Sequence, residues 1–150
     1  MCLSLMRVPL PEGANSIVIQ ALPHLRDGAS VILVGTSEAQ KEARMGTSVY
    51  TAAKAAVRAL ARSMSVELLP RRIRVNVLSP GMTDTPIISR EGGMPGMTPE
   101  QVAAAVTGLI PLRRRARPEE MAKAMLFLAS DDSSYLLGSE LIADGGLSQV

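Results

Sequence analysis

This sequence of 150 residues predicts an α/β fold with a parallel sheet, and three observations carry that prediction. The run VILVG at 31–35 is short, continuously apolar and rich in β-branched residues, the mark of a strand buried on both faces. Residues 49–69 repeat apolar side chains at helical spacing, with Ala53, Val57, Leu60 and Met64 on one stripe. Strand-like and helix-like segments then alternate to the end of the chain, as a parallel sheet with helical crossovers requires.

The elements follow in order. Residues 13–26 predict a helix with Ile17, Ile19, Ala21, Leu22 and Leu25 on its apolar side, interrupted by Pro23. DGAS at 27–30 is a turn, and VILVG is the first strand, closed by Gly35. The helix over 49–69 is slim where Ala52, Ala53, Ala55 and Ala56 cluster, and Pro70 stops it. RIRVNVLSP at 72–80 alternates and closes on Ser79-Pro80-Gly81, a second strand and turn. Residues 82–97 form a loop of Gly, Pro, Met and Thr. At Thr98 a capping box with Gln101 opens a helix, with Pro99 in its first position. Another helix starts near Pro118, where Glu119 and Glu120 suit the positive end of the helix dipole. Ala122, Met125, Leu126 and Ala129 are its predicted buried stripe, and SELIADGG at 139–146 is a last strand and turn.

Bulk composition narrows the function classes. The length is that of one domain, 1–150, and 47% hydrophobic residues suffice for a core. With Tyr50, Tyr135 and Phe127 as the only aromatics, that core is aliphatic and methionine-rich. A net charge of +2 is too small for a dedicated nucleic-acid binder, and RRIR at 71–74 and RRRAR at 113–117 read as solvated faces. The lone Cys2 excludes an internal disulfide framework and suits a reducing compartment. MCLSLMRVPLPEGANS lacks a basic start and a long apolar stretch, so no secretory signal is predicted. No apolar run is long enough to span a bilayer. The expectation is a soluble cytoplasmic protein with no nucleic-acid or membrane partner and no metal.

The segment MGTSVYTAAKAAV at 45–57 raises the chemical question. Tyr50 and Lys54 stand at i and i+4, on one face of the predicted helix. A free phenol titrates near 10 and is a poor proton carrier at neutral pH. An ammonium about 5 Å away, at an effective dielectric near 20, favours phenolate by roughly 3 kcal/mol. That corresponds to about two units and brings a tyrosine towards working range. Ser37, 13 residues earlier, follows the first strand at the edge where parallel sheets gather their ligands, and SPGMTDTP ends the second strand there.

Taken together, GTS, YTAAK, RIRVNVLSPGMTDTP and RPEEMAKAMLFLASDDSSYLLGSELIADGG resemble the short-chain dehydrogenase/reductase family, from about Ala21 to the last residues. The resemblance implies a partial doubly wound, Rossmann-like parallel sheet with flanking helices. It implies hydride transfer between NAD or NADP and a small alcohol or carbonyl substrate. By motif, Tyr50 would exchange the proton, and Lys54 would tune it and hold the nicotinamide ribose. Ser37 would bind the substrate oxygen, and Pro80, Gly81, Thr83 and Thr85 would line the nicotinamide. Residues 86–97 and the following helix would form a substrate lid. A homo-oligomer would pair through helix 49–69 and the C-terminal strand and helix.

Two departures accompany the resemblance. The family's Gly-rich turn after a first strand has no counterpart, because GGMPG follows no strand. The expectation is therefore the C-terminal portion of the fold, with the N-terminal half missing and residues 1–12 unrelated. Leu10 falls where the family carries an asparagine, three residues before Gly13. Plainer readings stand beside these: Tyr50 and Lys54 as a surface helix pair, Ser37, Thr83 and Thr85 as turn residues, Gly145-Gly146 as a tight turn. His24, with no second ligand nearby, reads as a surface residue. The whole chain also admits a reading as a non-catalytic remnant or interaction module.

Overall fold

A computed structural model describes residues 14–40, 47–85 and 98–150. Helix α1, Ala14–Ala21, gives way to a single 3-10 turn over Leu22–His24, so the predicted helix of 13–26 ends early at Pro23. Strand β1 is Ser30–Val34, helix α2 is Ser48–Glu67 and strand β2 is Arg74–Pro80. Helix α3, Pro99–Leu109, helix α4, Pro118–Ala129, and strand β3, Glu140–Ala143, complete the described elements. The strands form one parallel sheet in the order β1-β2-β3, with Leu33 opposite Val77 and Leu78 opposite Leu141.

The central strand decides where the core sits. Val75, Val77, Leu78 and Ser79 of β2 are at most 1% exposed. Alternate residues of a strand face opposite sides. Val75 and Val77 join Ala61, Met64 and Leu68 of the α2 region, together with Leu33, in one apolar cluster. The other face meets α4. Although β2 alternates polar and apolar residues, its polar members are inside. The Asn76 amide donates to Leu136 O at 3.0 Å and accepts from Ser139 N at 3.0 Å. The Arg74 guanidinium reaches the end of α4, donating to Ser133 O (2.9 Å), Ser133 Oγ (3.0 Å), Ser130 O (3.0 Å) and Leu128 O (3.4 Å). A cation on carbonyls at a helix C-terminus is favoured by the dipole.

Most arginines of the two runs are exposed, Arg72, Arg113, Arg114 and Arg117 among them, but several also make specific ties that the sequence did not reveal. Arg71 pairs with Asp27 at 2.9 Å and donates to the carbonyls of Leu22 and Leu25, tying the turn after α1 to the approach to β2. Arg114 grips Glu120 with two bonds of 2.8 Å, and Arg115 meets Asp84 at 3.2 Å. The Glu120 carboxylate also accepts from Arg117 N, closing the first turn of α4. Arg114 first, and that backbone bond second, hold the Glu120 carboxyl down to about 2.

The predicted stripe of α4 is corrected. Ala122, Met125, Leu126 and Ala129 are exposed, with Leu126 at 68%, while Leu128 is fully buried and Met121 and Ala124 are half-buried. The true stripe lies one residue earlier. The capping box at α3 stands as predicted: Thr98 Oγ1 accepts from Gln101 N at 3.3 Å, and Gln101 Oε1 accepts from Thr98 N at 2.9 Å. Cys2, Leu10 and the predicted lid residues 86–97 lie outside the described residues. Among the described residues, no helix is long and apolar enough to cross a membrane, and no acidic, His or Cys cluster is placed to hold a metal.

Candidate active site

Because all three strands run parallel, Val34, Pro80 and Ala143 end at one edge of the sheet. Two glycines let the chain crowd together there. A Cβ on Gly35 would meet the Ser79 hydroxyl and lie 3.0 Å from Val77 Cγ1. A Cβ on Gly81 would lie 2.5 Å from Asp144 Cβ and 2.6 Å from Asp144 Cα. With no side chain in the way, Gly35 N donates to Leu78 O at 2.8 Å and Gly81 N to Ala143 O at 2.9 Å. The segments leaving β1 and β2 thus turn over the sheet edge side by side.

Between them opens a cleft of about 260 Å³. Six of the seven predicted site residues line it: Ser37, Tyr50, Pro80, Gly81, Thr83 and Thr85. Ser37 begins a 3-10 turn over Ser37–Gln40 and is 1% exposed. Its hydroxyl is the one buried side-chain polar atom without a hydrogen-bond partner among the described residues. A buried hydroxyl left without a bond is costly, and such atoms call for an explanation. Tyr50, in the first turn of α2, is half exposed where it meets the cleft.

Lys54, the seventh residue, lies behind this wall. Its ammonium donates to Val34 O at 2.9 Å and sits 5.9 Å from the centre of the Tyr50 ring, within cation–π reach. Strand β1 and helix α2 are thereby joined through the same lysine that flanks the tyrosine. Thr83 and Thr85 belong to a strap pinned from outside: Asp84 N donates to Ala116 O at 2.8 Å and Ala116 N to Met82 O at 2.9 Å. Asp144 fixes the remaining side. Its carboxylate accepts from Gly146 N (2.9 Å), Ser148 N (2.8 Å) and Ser148 Oγ (2.5 Å), so Gly145-Gly146 is a tight turn. That turn delivers Leu147 to the cleft.

Four lining residues were not foreseen: Thr36, Glu38, Met82 and Leu147. Three of them neighbour predicted residues in the chain, and that adjacency was the available signal. Leu147 enters only through the turn after β3.

These residues can present hydroxyl groups and a lysine-flanked phenol to one small molecule, a set suited to moving a proton at an oxygen atom. Comparison with known proteins identifies the family. A family model described as enoyl-(acyl carrier protein) reductase matches residues 12–148. An uncharacterized oxidoreductase, YxbG, of Bacillus subtilis is 40% identical over 82% of this chain and 45% of its own length. The cis-4-hydroxycyclohexanecarboxylate dehydrogenase of Sinomonas cyclohexanicum is 39% identical over 87% of this chain and 50% of its own. A solved short-chain dehydrogenase family protein from Francisella tularensis superposes with a TM-score of 0.80 at 28% identity, covering 89% of this chain and 57% of that one. The chain thus spans about half the length of the relatives it matches. A partial Rossmann-like sheet, the hydroxyl-lined cleft at its edge and a family match over nearly all residues make one conclusion: the chain belongs to the short-chain dehydrogenase/reductase family.

Proposed function

We propose that this chain carries the proton-transfer and nicotinamide-facing half of an NAD(P)-dependent oxidoreductase acting on small alcohols or carbonyls. The observation that supports this reading is the Ser37 hydroxyl, buried, without a partner among the described residues and on a residue lining the same cleft as Tyr50. A substrate oxygen is the group that both hydroxyls would satisfy.

The dimensions fit the reacting end of a dinucleotide. Sites enclosing whole drug-sized ligands measure roughly 300–1,000 Å³. A cleft of about 260 Å³ holds a ring and a small carbonyl compound, not an entire cofactor. NAD or NADP, when bound, would supply or accept the hydride. Ser37 would hydrogen-bond the carbonyl oxygen and favour the charge that develops on it. Tyr50 would give that oxygen its proton in reduction and take it back in oxidation. Lys54 would hold the ribose hydroxyls and keep a positive charge beside the phenol. Pro80, Gly81, Thr83 and Thr85 would form the wall against which the ring lies.

Titration of the chain with NADH and NADPH, followed by nicotinamide fluorescence, tests the reading. Saturable binding that weakens at least tenfold in Lys54→Ala supports it. Absence of binding at millimolar cofactor refutes it.

A second reading, association with copies of itself, draws on exposed apolar residues. Ala52, Ala55, Ala59 and Val66 share the open side of α2, and Leu126 and Phe127 of α4 are 68% and 37% exposed. Patches of this kind mark interfaces. Light scattering across a concentration series distinguishes an oligomer from a monomer.

A further inference from the structure

We propose that Glu140 is a positioning residue of this site: it joins Arg58 of α2 to Ser79 of β2 and so sets where the tyrosine end of that helix stands over the sheet. The inference rests on the function proposed above.

Val75 and Val77 of β2 face α2, and Ser79 follows them on the same side of the strand. Glu140 lies opposite Val77 in β3, so it faces the same helix. Its side chain is 11% exposed. One carboxylate oxygen, Oε1, accepts from Ser79 Oγ at 2.5 Å. The other, Oε2, pairs with Arg58 Nε. Ser79 is fully buried, and its hydroxyl stands against Gly35, where a Cβ would collide with it.

Tyr50, Lys54 and Arg58 follow one another at intervals of four, along one face of α2. The helix is thus clasped to the sheet at successive turns, by Lys54 on Val34 O of β1 and by Arg58 on Glu140 of β3. Tyr50 stands at the end of this row, in the first turn of α2 and in the cleft wall. On the opposite side Gly35, resting on Ser79, leads two residues later to Ser37. One three-membered link therefore bears on both residues that would meet the substrate oxygen.

A partly buried ion pair adds little net stability, because desolvation offsets the attraction. Apolar side chains at the same positions would pack comparably but admit several arrangements. A guanidinium on a carboxylate that also holds a serine hydroxyl is directional. Geometry, more than stability, is what this link supplies.

The triple substitution Arg58→Met, Ser79→Ala and Glu140→Val separates the two roles, since it replaces the link with apolar groups and orphans none of its polar atoms. The chain has two tyrosines, and Tyr135 is fully exposed. Ring-labelled tyrosine therefore gives an NMR signal for Tyr50 with an internal reference. Arg58 lies two turns, about 12 Å, along α2 from Tyr50, beyond direct contact. In the triple variant the Tyr50 signal is expected to move and the Tyr135 signal to stay. NADH should bind about tenfold more weakly, the equivalent of one misplaced hydrogen bond, with the thermal midpoint within roughly 5 °C of the parent. A link that only stabilises would lower the midpoint and leave both site readouts unchanged. Circular dichroism checks folding. If the triple variant does not fold, Glu140→Gln, which keeps the shape and the bond from Ser79 but offers Arg58 no charge, carries the same test. An unmoved Tyr50 signal in a folded variant overturns the inference, as does NADH affinity within about twofold of a parent that binds it. If the parent does not bind NADH, the proposed function falls by itself, and the Tyr50 signal alone decides whether Glu140 sets the helix.

Discussion

Replacing glycine by alanine should have opposite effects at two positions of this chain. At Gly81 the added methyl would sit 2.5 Å from Asp144 Cβ, 2.6 Å from Asp144 Cα and 3.2 Å from Asp144 O. Ordinary carbon contacts are about 3.5–4.0 Å, so β2 or β3 must retreat by about 1 Å. Neither end is loose, because Gly81 N is bonded to Ala143 O and the Asp144 carboxylate is held by three donors. Overpacking of this kind costs about 1–3 kcal/mol, and weakening the Gly81–Ala143 bond adds about 1 kcal/mol. Gly81→Ala is therefore expected to lose about 2–4 kcal/mol, a large part of the roughly 5–15 kcal/mol that stabilises a domain. Gly108, within α3, meets nothing within 4 Å. There the methyl only restricts the unfolded chain and improves helix propensity, so Gly108→Ala should gain about 0.5–1 kcal/mol. Urea unfolding measures both as midpoint shifts at constant slope. A Gly81→Ala variant within about 0.5 kcal/mol of the parent would refute the packing argument, as would equal losses at both sites.

Two further outcomes concern charge. Removing the guanidinium in Arg74→Met strips charge-assisted bonds from the end of α4 and should cost about 2–4 kcal/mol, seen as a thermal midpoint lowered by roughly 5–15 °C; Arg74→Lys should fall between the two, and a midpoint unchanged in Arg74→Met would count against the clamp. Glu120 has a folded-state value depressed from 4.5 to about 2, so its contribution is present above 4.5 and disappears as pH falls through about 2; its carboxyl should titrate near 2 by NMR, moving up in Arg114→Gln, and an ordinary midpoint in the parent protein would contradict the pairing.

What could be read in advance was local or strongly periodic. The Thr98–Gln101 box needs only four residues, and it formed as written. The strand VILVG was marked by its short β-branched run and closing glycine and the long helix by its period, and observed bounds differ from the predicted ones by one or two residues. The face of α4 was illegible because MAKAMLFLA is apolar at nearly every position, so the pattern names no side. Packing of Leu128 against the sheet settled it. The ties of two arginines went unseen for a related reason: Arg71 and Arg74 find their carbonyl partners at separations of 46 to 59 residues, which no local pattern reveals. The cleft itself was foreshadowed by Ser37, Tyr50 and the turn after β2. The bond from Lys54 to Val34 O, and Leu147 in the wall, depend on tertiary geometry alone.

That lysine bond has a consequence at the rim of the sheet. Among the described residues β1 is hydrogen-bonded to β2 alone, and its last carbonyl needs a partner elsewhere. Within one trans peptide, carbonyl and amide point in opposite directions. Since Gly35 N is turned inward to Leu78 O, Val34 O faces outward, where the ammonium has already claimed it. The ammonium therefore satisfies a carbonyl that β2 cannot reach, so the residue that flanks the phenol also fastens the last peptide of β1 to the helix.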